Sequence, residues 1–288
     1  MSSETTPPPN ALRVEELPLT VVDSSRLTRI DWAELWAYRE LFGFLVWRDF
    51  LVRYKQTAVG IFWAILRPVL MLVVVVVVFG YVLGRDQTSD LPFPIIALAG
   101  IVPWEFFSQA LTFSSQSLIN NHPLVAKTYL PRMLLPASAV TVHFIDIAIS
   151  MGVLLLMMPL FGVSYQWTIL AVVPLTVVAA LLAFGTGLFV SALNVKYRDF
   201  KYVLPFFIQL GFYATPVGFT SDDVPEKLQW LFYLNPMAGV VEGFRWAVFG
   251  EGSIAVPSFA IAIGATILIT FFGMRFFRRS ESWFADVI

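Results

Sequence analysis

The run from Ala58 to Leu83 most constrains the fold of this chain, because its only charged residue is Arg67. An apolar helix of roughly 20 residues is long enough to cross a bilayer. The residues just before the run are charged and aromatic, with Arg48-Asp49 followed by Arg53-Tyr54-Lys55. Because Lys and Arg collect at the cytoplasmic edge of membranes, we expect a transmembrane helix that enters from the cytoplasm.

The composition extends this expectation to the whole chain. Hydrophobic residues make up 58% of the 288 residues and charged residues 14%, whereas soluble domains average about 45–50% and about 25%. We predict six transmembrane helices, at about 58–83, 93–118, 133–160, 167–193, 200–219 and 254–277. The valine run Val73–Val78 is also expected to be helical, because an open strand cannot satisfy its backbone in lipid. The predicted fold is an all-α polytopic membrane protein.

The distribution of positive charge predicts the orientation. An even number of spans places both termini on one side of the membrane. Of the 19 Lys and Arg residues, all but five lie on that side; Arg85, Lys227 and Arg245 lie on the other side, and Arg67 and Arg275 lie within spans. The positive-inside rule therefore predicts cytoplasmic termini. No cleavable signal peptide is expected, because residues 1–30 lack a basic start followed by an apolar core.

The segments outside the spans have distinct compositions. Residues 1–29 are polar and proline-rich, which predicts a disordered cytoplasmic tail, and residues 280–288 form a short second tail after the six-span domain 57–279. Residues 30–56 are predicted to form an amphipathic helix along the cytoplasmic surface, because tryptophan favours the bilayer interface. Its marker residues are Trp32, Trp36, Trp47, Arg48 and Arg53. A soluble helix packed on a partner is a compatible alternative.

The cytoplasmic segment 120–132 is predicted to contain a short helix, bounded by Pro123 and Pro131. A simple connection would not need exposed Leu124, Val125, Tyr129 and Leu130 beside basic residues. We therefore predict a docking surface formed by Leu124, Val125, Lys127, Tyr129 and Arg132.

The segment 222–250, before the last span, is predicted to form two short apolar helices joined by Asn235-Pro236. Asn is a favourable N-cap and Pro suits the first helical position. Because each helix is too short to span the bilayer, we expect a re-entrant hairpin that enters from outside. Glu242 and Arg245 are three residues apart and could pair across one helical turn.

Few polar side chains lie within the predicted spans, and such residues usually have a function or a partner. Arg67 is expected to face protein, water or a polar substrate, or to extend to the cytoplasmic edge. Glu105 is expected to pair with Arg67 or a backbone donor, with contact to substrate hydroxyls as the alternative. His143 and Asp146 lie on one helical face, and a hydrogen bond between them is favoured over a proton relay.

Several catalytic and binding motifs are missing from the sequence. There is no G-x-x-x-x-G-K-[ST] phosphate loop, no His-Glu-x-x-His zinc motif and no G-x-S-x-G elbow. Two histidines are too few for most metal sites. We therefore expect no metal and no cofactor in this chain, and any use of ATP would belong to a partner.

Four segments together resemble the ABC type-2 transporter permeases that export bacterial cell-surface polysaccharides, of the Wzm type. The segments are Arg48-Asp49 with Arg53-Tyr54, Thr57, Gly60, Trp63 and Pro68; Gly100 with Pro103-Trp104, Phe106-Phe107, Asn120, Leu124-Val125, Lys127, Pro131-Arg132 and Leu135-Pro136; Tyr197-Arg198-Asp199 with Pro205, Tyr213 and Thr215-Pro216-Val217; and Pro225 with Asn235-Pro236, Glu242 and Arg245.

The resemblance implies a homodimer in the bacterial inner or plasma membrane, bound to two ATPase subunits that hold ATP and Mg. It implies a lipid-linked polysaccharide substrate, contact with membrane lipid and no nucleic-acid partner. It places the substrate channel at aromatic residues, where sugar rings can stack and slide. These residues are Trp63, Tyr81, Phe206, Phe207, Phe212 and Tyr213, with Arg67 as a polar addition.

Two other functions stay open from the sequence. An ABC type-2 exporter of drugs or lipids would share most of these segments. A membrane-embedded enzyme that modifies glycans on lipid carriers would use Glu105, His143 and Asp146.

Overall fold

The computed structural model describes residues 32–55, 62–82, 91–197, 199–220, 224–250 and 256–287. These residues are almost entirely helical and contain no strand. Their α-helices are α1 (Trp32–Ala37), α2 (Arg39–Tyr54), α3 (Phe62–Val75), α4 (Phe93–Asn120), α5 (His122–Lys127), α6 (Leu134–Leu160), α7 (Val172–Lys196), α8 (Phe200–Ala214), α9 (Glu226–Tyr233), α10 (Pro236–Phe249) and α11 (Val256–Val287). A π-helical segment, Val76–Val82, continues α3, and a 3-10 helix, Trp167–Ala171, leads into α7.

Five helical segments of the described residues are long and apolar enough to cross a membrane. They are Phe62–Val82, Phe93–Asn120, Leu134–Leu160, Trp167–Lys196 and Pro257–Glu281. They correspond to the predicted spans except the fifth, 200–219. The valine run lies in α3 and the π-helical segment, which confirms its predicted helical state.

The fifth predicted span forms a shorter helix than expected. Helix α8 has 15 residues, or about 22 Å at 1.5 Å per residue, against a hydrocarbon core of about 30 Å. It ends because Thr215 is extended (φ −108°, ψ 139°), a conformation that the following Pro216 favours by steric exclusion of the helical region. A turn follows, in which the Val217 N–H donates to the Thr215 carbonyl at 2.7 Å.

Helix α4 is the centre of the fold and packs mainly against α6 and α7. It is buried along nearly its whole length and carries four serines in its second half. Three of these hydroxyls donate back to carbonyls of their own helix: Ser108 to Glu105 (3.1 Å), Ser115 to Thr112 (2.7 Å) and Ser117 to Ser114 (2.8 Å). Small residues with internally bonded hydroxyls let neighbouring helices approach closely.

The crossing of α7 and α11 is the most extensive helix pair and depends on glycine. A Cβ on Gly185 would lie 2.5 Å from the Thr270 Cα. A Cβ on Gly273 would lie even closer to the Gly185 carbonyl oxygen. The Thr270 hydroxyl donates across the crossing to the Leu181 carbonyl at 2.9 Å. Only glycine allows the two backbones to meet at this point.

Helices α3 and α8 lie at the edge of the packed helices. Helix α3 buries one narrow stripe, formed by Ala64, Pro68, Leu72 and Val75, and helix α8 buries only Leu204 and Phe212. Their remaining surfaces are large, apolar and exposed. The described chain therefore leaves one face of each helix without a protein partner.

The other predicted segments form helices with small differences. The predicted helix 30–56 is divided at Tyr38 into α1 and α2, the segment 120–132 contains α5, and 222–250 contains α9 and α10. Helix α11 continues to Val287, so the predicted tail 280–288 begins as helix. The predicted tail 1–29, the span residues 58–61 and 254–255, and hairpin residues 222–223 lie outside the described residues.

We predict that Gly185→Val destabilises the protein by about 2 kcal/mol or more, because its side chain meets the α11 backbone. Thermal unfolding of the purified protein in detergent, followed by size-exclusion chromatography, measures the effect. Gly264→Val is the control on α11, since no atom lies within 4 Å of its added Cβ. Equal melting temperatures for both variants would contradict the assigned crossing.

Candidate functional site

Arg53, near the end of α2, joins that helix to α6. Its Nη1 lies 2.7 Å from His143 Nε2, and its Nη2 forms an ion pair with Asp146 Oδ2 at 2.9 Å. The Tyr54 hydroxyl donates to the other oxygen of Asp146. The guanidinium also lies over the Phe113 ring of α4, 4.9 Å from its centroid. Two adjacent residues of α2 thus supply the charge and the donor that Asp146 needs inside an apolar span.

The hydrogen bonds of His143 fix its tautomer. Its Nδ1 lies 2.7 Å from the Ala139 carbonyl, which can only accept, so Nδ1 carries the proton. Nε2 is then the acceptor that faces Arg53. The predicted His143–Asp146 hydrogen bond is therefore wrong: both ring nitrogens bond elsewhere, because α2 packs against this face of α6.

Two further contacts extend the junction of α2 with α6. The Ser138 hydroxyl lies 3.2 Å from Asp49 Oδ2, one turn before Arg53. Arg48 pairs with the other oxygen of Asp49 at 2.6 Å. Burial and the Asp146 carboxylate together raise the pKa of Tyr54, which keeps its hydroxyl protonated as a donor.

A cavity of about 210 Å³ with a mainly apolar lining and a few charged side chains lies beside this junction, between α2, α3, α4 and α6. Trp63 and Arg67 of α3 and Glu105 of α4 line it, and we call it the glutamate cavity. The Glu105 Oε2 atom is buried without a hydrogen-bond partner. The predicted bond to Arg67 or a backbone donor is thus not made by this oxygen.

A second candidate site lies around α5 and the residues that follow it. A cleft of about 430 Å³ is lined by α1, by residues 125–132 and by the end of α11. The Tyr129 hydroxyl donates to Glu34 of α1 at 2.7 Å, which raises the pKa of Tyr129. Arg132 donates to the Glu281 carbonyl of α11 at 2.8 Å. Three distant segments of the chain thus meet at one surface.

The predicted exposure of the docking residues needs a correction. Leu130 is buried in a small hydrophobic cluster with Leu45 of α2, and Leu124 and Val125 pack against that cluster. Lys127 and Tyr129 are exposed, Tyr129 by 77%. The apolar side chains of the segment therefore hold it against α2, and its polar side chains form the free surface.

The aromatic residues of α8 divide into three environments. Tyr202, Phe206 and Tyr213 fall within about 40° of one another at 100° per residue, on one exposed face. Phe207 lines an apolar groove beside α4 and α7. Phe212 is buried, with its ring centroid 6.1 Å from that of Trp104. Only Phe206 and Tyr213 of the predicted α8 channel residues therefore share an open face.

The predicted channel residues of α3 are also separated. Trp63 lies beside Arg67 at the glutamate cavity. Tyr81 is 74% exposed on the π-helical segment, near the opposite end of the span.

The predicted hairpin residues hold α10 against the turn that follows α8. Asn235 caps α10 by accepting from the Met237 N–H at 3.1 Å, and its amide donates to the Thr215 hydroxyl at 2.9 Å. Arg245 donates to the carbonyls of Val217 (2.7 Å) and Phe219 (2.9 Å). Pro236 occupies the first turn of α10 as expected. The Glu242–Arg245 pair stays a prediction.

The sequence marked Asp49 and Tyr54 only as members of a charged, aromatic segment, and it gave no signal for Glu281. All three contact partners about 90 or more positions away. Nothing in local spacing reports such contacts. Among the described residues, no group of three acidic or histidine side chains converges as a metal site.

We predict energetic coupling between Arg53 and Asp146, because either charge alone would stay partly buried without its partner. Arg53→Met and Asp146→Asn should each destabilise the protein, and the double variant should lose less than their sum, with a coupling of about 1–3 kcal/mol. Thermal unfolding in detergent measures all four proteins. Arg39→Met is the exposed control, and strict additivity would exclude the ion pair.

Comparisons with known proteins agree over most of the chain. The family model of the ABC-2 type transporter matches residues 40–249. The chain is 27% identical over 242 residues to the O-antigen export system permease protein RfbA of Klebsiella pneumoniae, covering 84% of this chain and 92% of that protein. It is 28% identical over 263 residues to the Myxococcus xanthus protein of that name, covering 88% and 98%. It is 28% identical over 244 residues to the polysialic acid transport protein KpsM of Escherichia coli, covering 81% and 91%. The matched region runs from α2 to α10 and includes the sites described above, except for the parts of the α5 cleft that α1 and the end of α11 contribute. The chain belongs to the ABC-2 type transporter family.

Proposed function

We propose that this chain is the permease subunit of an ABC transporter that exports a lipid-linked cell-surface polysaccharide across the bacterial inner membrane. The observation that carries the proposal is the exposed aromatic face of α8, formed by Tyr202, Phe206 and Tyr213. This chain covers nearly the whole length of the similar proteins named above. Those proteins are named for O-antigen export and polysialic acid transport. The chain is a transport subunit and not itself an enzyme.

An aromatic face suits a polymer that must keep moving. Sugar rings present C–H surfaces that stack on aromatic rings, and such contacts have broad geometric tolerance. Directional hydrogen bonds at every step would hold the polymer in place. Gln209, which lies on the same face between Phe206 and Tyr213, is exposed and can exchange hydrogen bonds with passing hydroxyls.

A homodimer is supported by the two edge helices. Helices α3 and α8 each bury a single stripe or less within this chain. A second copy could cover their remaining faces and enclose the aromatic face of α8. The apolar surface that runs along α3 and into the π-helical segment, from Phe62 to Val78, is large enough to contact both a second copy and lipid.

The sixth crossing would be made by α8 together with the segments that follow it. Helix α8 alone is short, but Asn235 and Arg245 bond α10 to residues 215–219 at its end. Helices α9 and α10 would then form a re-entrant hairpin that completes this side of the membrane. The excess of Lys and Arg on the side of the two termini supports a cytoplasmic location for both termini.

The ATPase partner would dock at the cytoplasmic ends of α1, α5 and α11. Tyr129 links α5 to α1, and Arg132 links it to α11, so a push on this surface reaches three elements. The Arg53–Asp146 pair then connects α2 to span α6. Two ATPase copies, one for each permease chain, would bind ATP and Mg, because this chain has no phosphate-binding loop.

We predict that deletion of this chain causes lipid-linked glycan to accumulate inside the cell.

Tyr213→Ala with Phe206→Ala should lower export roughly tenfold at equal protein abundance, since each ring contributes about 0.5–1.5 kcal/mol of stacking. Surface polysaccharide is measured by immunoblot. Phe272→Ala, an exposed ring on α11, is the control and should export normally. Normal surface polysaccharide in the deletion strain would overturn the proposed function.

We predict that Lys127→Glu with Tyr129→Ala separates ATP hydrolysis from export, because it changes the exposed part of the docking surface. Export should fall more than tenfold, while the α2–α6 junction stays intact. Co-purification and ATPase activity of the complex measure the effect. Lys227→Glu, an exposed charge reversal on α9, is the control. Unchanged coupling in the double variant would show that the ATPase docks elsewhere.

A further inference from the structure

Two cavities with mainly apolar walls share Arg53 as a lining residue. The glutamate cavity, already described, lies among α2, α3, α4 and α6. The second, of about 460 Å³, extends towards the cytoplasmic ends of α4 and α6 and is lined by Arg48, Asp49, Asn120 and His143. Arg53 and Phe113 line both, so their stacked side chains form the wall between them.

Glu105 is the unexplained group of the glutamate cavity. Its Oε2 atom is buried and has no hydrogen-bond partner, whereas nearly all buried polar atoms in proteins have one. Arg67 lines the same cavity, yet the ion pairs of the described residues do not join it to Glu105. No group of the described chain donates to this oxygen, so its partner is a water or a bound ligand.

The size of the cavity favours a ligand of several heavy atoms. Its volume is about 210 Å³, whereas one water needs about 10–15 Å³ of such space. A few isolated waters would leave most of it unused.

The lining residues indicate the chemistry of that ligand. Glu105, Gln109 and Ser150 supply hydrogen-bonding groups, and Arg67 adds a guanidinium. Trp63, which is half exposed, adds an indole ring to the lining. Two carboxylates offset two guanidiniums, which disfavours a phosphate dianion and leaves the cavity near neutral. A neutral ring with many hydroxyl groups matches both the polar and the aromatic walls.

We propose that the glutamate cavity binds one sugar residue of the exported glycan, with Glu105 accepting from its hydroxyl groups and Trp63 stacked on its ring. The assignment rests on the proposed function and adds a recognition site separate from the aromatic face of α8. The second cavity lies beyond the wall formed by Arg53 and Phe113 and is not part of the proposed site.

Photo-crosslinking in cells tests the site on the full chain with its partner. A benzophenone amino acid replaces Gln109 in the cavity, Tyr213 on the aromatic face, or Leu268 on the exposed face of α11. The cell's own surface polysaccharide is the probe, detected on the permease with antiserum against it. We expect a glycan adduct from Gln109 and from Tyr213, and none from Leu268.

Variants of Glu105 then test its assigned role. Glu105→Leu should lower the Gln109 adduct about tenfold, and Glu105→Gln should retain it, because the amide oxygen still accepts a hydrogen bond. An adduct from Tyr213 but none from Gln109 would overturn the sugar site and leave the proposed function standing. An unchanged Gln109 adduct in Glu105→Leu would overturn the role of Glu105. No adduct from any position, with normal export in the deletion strain, would overturn the proposed function itself.

Discussion

The lack of hydrogen-bonding solvent inside a bilayer is the constraint on which this structure depends. Every backbone group within the spans must find a partner in the protein, so the described chain is helical almost throughout. The exceptions follow the same rule. The irregular residues 215–219 leave carbonyls without helical partners, and Arg245 and Asn235 donate to that region from α10. A charged side chain is tolerated here because it satisfies several acceptors at once.

The same constraint explains the junction at Arg53. A carboxylate on span α6 is costly in lipid, and Asp146 is satisfied by an ion pair and a hydroxyl from α2. The cost of separating them holds α2 against the span. Helix α2 is thereby joined to a membrane-spanning helix, which is the connection that the proposed coupling to a separate ATPase requires.

The distribution of exposed surface divides the protein into a packed part and an open part. Helices α4, α7 and α11 approach closely through glycine, serine and threonine. Helices α3 and α8 keep broad exposed faces. Rigid packing on one side and exposed faces on the other are compatible with the proposed homodimer around a passage. The glutamate cavity lies where α3 meets the packed part, so it is formed within a single chain.

The sequence by itself determined the membrane class, the long helices, the cap at Asn235 and the family, because hydrophobic run length and turn chemistry are local properties. It also indicated α5 and the helices α9 and α10. Only the tertiary structure decided which polar groups meet. His143 and Asp146 share a helical face, yet each bonds to a helix about 90 positions earlier. From the sequence, Leu130 is expected to be exposed in the docking segment and Phe212 to line the substrate channel. Both side chains are instead buried by their neighbours. Such outcomes depend on how helices distant in sequence pack together, and no local pattern encodes that packing.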